Sequence, residues 1–156
     1  MPATINGVDN LASFANQSVA GGWRVAKRTY SFAVDGGAQG AKTMFTVSGT
    51  VFVQVFGVCQ TDMDSGGAAT IELGIAGNTA ALIAQTTATG LDQYEVWQDA
   101  TPEANPGAVD LTARSFVVTN GADIILTIAI ANLTAGVIDF YCLWGPLSDD
   151  GLVVAT

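Results

Sequence analysis

The run TDMDSGG, Thr61 to Gly67, sets two carboxylates one residue apart ahead of a glycine pair. Calcium loops of the helix–loop–helix kind begin this way. They need oxygen ligands at positions one, three and five, glycine at six and a bidentate Glu at twelve. Asp62, Asp64 and Gly67 fit one, three and six, but position five is Gly66 and position twelve is Leu73. The ligand that would supply two oxygens is missing, and the flanking residues alternate like strands rather than helices. The expectation is a hairpin connection, in which Asp and Ser bond the local backbone and the glycine pair supplies positive φ.

Other chemistries find as little support. The chain has no histidine, which removes Ser-His-Asp and Cys-His catalysis and most zinc and iron sites. Cys59 and Cys142 lie inside strand patterns and read as small buried hydrophobes, ahead of a cross-sheet disulfide or a reactive thiol. Glu72, Glu95, Asp99 and Glu103 are the candidates for a glycosidase pair. The first two fall on solvent faces and the last two in a loop, so they read as solvated acids. The glycine-rich pieces DGGAQG and SGGAA lack the Lys-Ser/Thr of a phosphate loop and are read as turns. Trp23, Trp97 and Trp144 could make a sugar-stacking platform, but core or interface packing is the preferred reading. Asp139, amid the apolar residues of VIDFYCLW, points to the polar face or pairs with a base such as Arg114 or Arg28. The polar face is preferred. No enzyme activity, metal or cofactor is expected.

The 156 residues suit one domain with a real core. Hydrophobic residues make up 49% and charged residues 12%, an apolar balance that suggests an exterior partly covered by copies of the chain or by a partner. Apolar runs are short, so no membrane span is expected. The first residues show no basic segment followed by an apolar one, so no secretory signal is expected. Net charge is −9, which disfavours nucleic acid. Four of the five basic residues, Arg24, Lys27, Arg28 and Lys42, cluster together. They read as a solvated strand entrance or as a dock for an acidic partner.

These residues must be carried by strands, because apolar residues recur at every second position and helix signals are nearly absent. Residues 1–27 read as an N-terminal arm, with one short helix near Asn10 to Asn16, and residues 28–156 as the folded domain. RTYSFAV is expected to place Tyr30, Phe32 and Val34 on one face. Thr43–Val47 is a short strand. Thr50–Gln60 is apolar on both faces and so central, with Gly57 marking a bulge or close packing. Ile71, Leu73 and Ile75 share a face, and Thr79–Thr86 returns. Gln93–Gln98 is a further strand, followed by a long acidic loop, Asp99–Asp110. Asn120-Gly121 is a tight-turn signal between two later strand runs. Eight to ten short strands give an all-β antiparallel sandwich, of jelly-roll type, with an extended N-terminal arm.

Three pieces in order, KRTYSFAVDGGAQG, SGGAATIELGIAGNTAALIAQTT and ADIILTIAIANLTAGVIDFYCLW, carry a family likeness over about residues 27–145. The chain resembles tailed-bacteriophage capsid decoration (cement) proteins, small structural proteins of the virion. The resemblance implies a non-enzymatic protein on the outer surface of the capsid. It would bind the expanded icosahedral shell across capsomers, with the major capsid protein as partner and a homotrimer as its own assembly. The arm, with Trp23, Arg24, Lys27 and Arg28, is the expected capsid contact. The competing readings are a tail, baseplate or receptor-binding virion protein and a carbohydrate-binding β-sandwich.

Overall fold

A computed structural model describes residues 23–104, 108–111 and 114–156. The strands are β1 (Arg24–Ser31), β2 (Gly40–Ser48), β3 (Val51–Ser65), β4 (Thr70–Ile75), β5 (Asn78–Thr87), β6 (Val96–Trp97), β7 (Phe116–Val118), β8 (Ile124–Ala129), β9 (Leu133–Pro146) and β10 (Leu152–Ala155). One helical turn, α1 (Phe32–Asp35), follows β1. Two five-stranded antiparallel sheets result. The first runs β1-β9-β3-β6, with β7 also on β3; the second runs β10-β2-β8-β4-β5. Their inner faces share one apolar core, with Phe140, Cys142 and Trp97 from the first sheet and Phe45, Ile71 and Leu126 from the second. This is the expected sandwich. The expected short helix near Asn10 and most of the expected arm lie outside the described residues.

Chain order and sheet order are nearly opposed. Among the described residues, only β4 and β5 are sequence neighbours that pair directly with each other. Most other connections cross from one sheet to the other. This corrects the hairpin expected at TDMDSGG: β3 runs on to Ser65, and the next residues carry the chain over to β4 in the second sheet. The local chemistry is the expected kind, since Asp64 Oδ1 accepts from the Ser65 amide at 2.7 Å and Ser65 Oγ accepts from the Gly67 amide at 3.1 Å. Neither glycine has positive φ. Gly67 is instead held close, because a Cβ there would lie 3.0 Å from that of Ala131. The Asn120-Gly121 turn forms with both residues at positive φ (57° and 63°). It too joins strands of different sheets.

Two other expectations change. β1 opens at Arg24 and stops at Ser31, so Phe32 and Val34 do not continue the face of Tyr30. Asp35 ends the strand: its carboxylate accepts from the Ser31 amide at 2.8 Å, and the Gly36 amide closes the turn onto Phe32 O at 3.0 Å. Tyr30 is buried, whereas Val34 is 82% exposed. The strand expected at Gln93–Gln98 shrinks to Val96–Trp97. Tyr94 takes positive φ, and the segment is pinned to β3 by Gln93 N donating to Asp62 Oδ1 at 2.6 Å and Tyr94 N donating to Cys59 O at 2.7 Å. Strand β10 was not foreseen. Its four residues pair with β2 at the edge of the second sheet.

Gly57 packs closely, as expected. A Cβ there would lie 2.9 Å from Ile138 Cγ2. The tightest constraint in the β4–β5 hairpin is Gly74, where a Cβ would meet Asn78 O at 2.2 Å, while Gly77 faces open space. Backbone cannot move aside as a side chain can. Gly74→Ala is therefore expected to cost roughly 1–3 kcal/mol in urea denaturation, with Gly77→Ala leaving the midpoint within experimental scatter.

Candidate interaction surface

A strand in a two-layer sandwich buries one row of side chains and turns the other outward. The row of β3 that enters the core is Val51, Val53, Val55 and Cys59. The opposite row is Phe52, Gln54, Phe56 and Val58, all half-buried. Register places these beside Leu143, Tyr141 and Asp139 of β9 and, one strand further, Val25, Lys27 and Thr29 of β1. The outer face of the first sheet is thus apolar and aromatic. Phe56 stacks on Tyr141 with centroids 5.4 Å apart, Trp23 lies on Phe52 at 4.8 Å, and Lys27 Nζ stands 5.6 Å over the Tyr141 ring. Val25 and Val117 at its margins are 65% and 57% exposed.

The four expected contact residues divide between two sides of β1. Trp23 and Lys27 belong to this outer face. Arg24 and Arg28 lie on the side of Tyr30, where Arg24 covers Trp144 at 5.0 Å and Arg28 pairs with Asp35 at 2.6 Å. Lys27 pairs with Asp139 Oδ2 at 2.9 Å. This hydrogen bond raises the Lys27 pKa against a smaller lowering by desolvation. The basic cluster is therefore partly neutralised within the chain.

The preferred polar face is corrected: Asp139 lies in the outward row among apolar neighbours and is 8% exposed. Its partners are Lys27 and the Thr29 hydroxyl rather than Arg114 or Arg28. Three of the four carboxylates weighed for catalysis serve local turns and contacts. Glu72 accepts from Gln85, Glu95 from the Asp92 amide, and Asp99 from the Thr101 amide. Trp97 and Trp144 are buried, so they cannot join Trp23 in a sugar platform. Cys59 and Cys142 are buried free thiols, as preferred. Burial pushes both thiols up to about 12. The Tyr30 phenol also rises to about 12, through burial and then the nearby Asp35 charge.

Sequence reasoning missed the outward row Phe52, Phe56, Tyr141 and Leu143. The signal was present. A strand apolar on both faces, read only as central, must expose one of those faces when the sandwich has just two layers.

No family model matches the chain, and no curated protein matches it. A chain of the acidic stable capsid structure of Helicobacter pylori bacteriophage KHP30 is similar in fold. It is 13% identical with a TM-score of 0.53, over 86% of this chain and 94% of that one. A chain of the cyanophage Pam1 capsid asymmetric unit is 16% identical with a TM-score of 0.44, over 80% and 85% of the two chains. The first likeness shows a shared fold.

Two outcomes test this description. Removing Asp139 strands little, because Lys27 is half exposed and can turn to water. A double-mutant cycle of Lys27→Met and Asp139→Ala, read by urea denaturation, is expected to show only weak coupling. Both thiols should be silent to a thiol reagent at pH 8 in the native protein and fully reactive in denaturant. The unfolded chain loses these protons near pH 9 (thiols) and 10 (Tyr30), while the folded chain holds them to about 12. The stability contributed by these three groups should therefore be constant below pH 9 and fall from pH 9 toward 12 in thermal melts.

Proposed function

We propose that the chain is a non-enzymatic structural protein of a bacteriophage virion. The observation that carries this reading is the fold shared with a chain of a phage capsid structure over 86% of this chain and 94% of that one. The correspondence spans nearly the whole of both chains, not one hairpin within larger domains. The sandwich itself suits the task. It is a rigid block whose turns are tied by Asp and Ser, and one of its outer faces is apolar.

Within that role the protein decorates the outer surface of the expanded shell. It binds the major capsid protein across capsomers and associates with itself as a trimer. Residues 1–22 with Trp23, Arg24, Lys27 and Arg28 form the contact. Trp23 supplies an aromatic anchor, a residue type that dominates binding energy at interfaces, and Lys27 a cation on the same face. Arg24 and Arg28 border it from the far side of β1. Repetition over a symmetric shell multiplies modest contacts into avidity.

The test is co-sedimentation of the purified protein with expanded, DNA-filled capsids that lack it, beside unexpanded procapsids. Saturable binding to the expanded shell is expected. Because Lys27 and Arg28 already carry internal partners, the affinity should change little between low and moderate salt. Trp23→Ala should weaken it about tenfold, the scale of a single anchor. Absence of binding to either shell would discard the decoration role.

A further inference from the structure

Among the described residues, Tyr94, Asn120 and Ile130 have positive φ without being glycine. Asn tolerates this region. Ile130, at 69°, is β-branched, the class for which it is a true outlier. The Ala131 amide donates to Ala129 O at 2.8 Å around it. A bond from residue i+2 back to i around a positive φ makes the rarer, strained form of γ-turn. Burial does not offset that strain, because Ile130 is 69% exposed. The neighbours hold the turn instead. Ser65 Oγ donates to Asn132 O at 2.8 Å, Gln39 N donates to Asn132 Oδ1 at 3.1 Å, and the Leu133 amide donates to Gly37 O at 2.9 Å. Gly67 of the β3–β4 crossover abuts Ala131, where an added Cβ would lie 3.0 Å away. Strain fixed in this way by its surroundings points to a role outside the fold.

The turn presents one aliphatic side chain in a fixed position. Val34 of α1, 82% exposed, stands at the same end, because the loop after α1 bonds the turn through Gly37 and Gln39. The charges bordering this end have partners within the chain: Asp35 with Arg28, Lys42 with Asp35 O, and Asp64 with the Ser65 amide. A partner that docks here desolvates little charge. A formed apolar pocket of a folded protein suits such an anchor, whose order is in place before binding. A lipid surface takes a broad apolar face flanked by bases, and this tip is neither.

The tip lies far from Trp23. Arg24 pairs with Trp144 near one end of β9, and Ile130 precedes Leu133 at the other. The eleven residues from Leu133 to Trp144, at about 3.3 Å each, separate the two by roughly 35 Å. We propose that Ile130 is a second anchor, seated in an apolar pocket of the major capsid protein, so that the Trp23 side and the Ile130 tip hold two neighbouring capsomers at once. The inference rests on the virion reading and gives binding across capsomers a physical form: two contacts at opposite ends of a rigid block.

Full-length Ile130→Asn and Ile130→Gly test it, each by thermal melt, sedimentation velocity and co-sedimentation with expanded shells. Both variants relieve the turn and should melt about 2–4 °C above the wild type. Both should bind the shell about tenfold more weakly. Trp23→Ala combined with Ile130→Asn should lose about a hundredfold, since distant contacts add in free energy. A lower melting temperature in both variants would mean that Ile130 serves the fold, and wild-type shell binding by Ile130→Asn would mean that it serves no contact. Either result overturns the proposal. So does self-association of the wild type that Ile130→Asn abolishes, since the tip would then seat on a second copy. A double variant no weaker than either single one overturns the two-ended arrangement. A wild type that binds neither expanded nor unexpanded shells removes the virion reading itself, and this inference with it.

Discussion

Strands β3 and β9 pair from Val51 opposite Pro146 to Ser65 opposite Leu133, and the other strands of the first sheet hang on this pair. β1 attaches to the free side of β9, and β6 and β7 attach to the free side of β3. The pairing joins the middle of the chain to its end, so its cost is a large loop closure that only the finished core repays. Its close packing at Gly57, where Ile138 and Phe140 leave no room for a side chain, ties the two strands to one register. A slip of one residue would turn Val53, Val55 and Cys59 outward and bring Gln54 into the core.

That pair also creates the outer face. Both strands have apolar side chains in their outward rows, and two layers leave those rows without a third. Gln54 and Asp139 are the polar exceptions, and of the two only Asp139 is charged. It is nearly covered and held by Lys27 and Thr29, so the only acid in the middle of the slab is neutralised by the strand beside it. Other acids, among them Asp92, Asp99, Asp149 and Asp150, lie outside the strands. A surface so arranged can meet another protein without desolvating many charges, a requirement of any well-packed interface core.

Much of the fold was legible in the residues. The period of two, the turn residues and the absence of helix signals pointed to an all-β sandwich. The buried character of Cys59 and Cys142, the close packing at Gly57 and the tight turn at Asn120-Gly121 could also be read. Pairing partners could not. TDMDSGG and Asn120-Gly121 have the composition of hairpin turns, yet both carry the chain between sheets, because a turn's sequence sets its backbone angles and not the neighbour of the strand that follows. The end of β1 at Ser31 depended on Asp35 reaching back to a backbone amide, a contact that alternation cannot report. The surface was half legible. Lys27 faces outward because alternate positions of β1 do, and Trp23 just before the strand joins it, while the aromatic residues around them come from β3 and β9, far away in sequence.

The sequence by itself determined the class of local structure, the burial of one row in each strand, the lack of histidine chemistry and the acidic balance of the chain. These depend on residue type and short-range spacing alone. Tertiary structure decided which strands meet, that Asp139 pairs with Lys27, that Arg24 and Arg28 turn away from Trp23, and that Phe52, Phe56, Tyr141 and Leu143 form one outward, half-buried apolar surface. Each of these is a contact between distant segments, and its geometry exists only after the two sheets have closed on a common core.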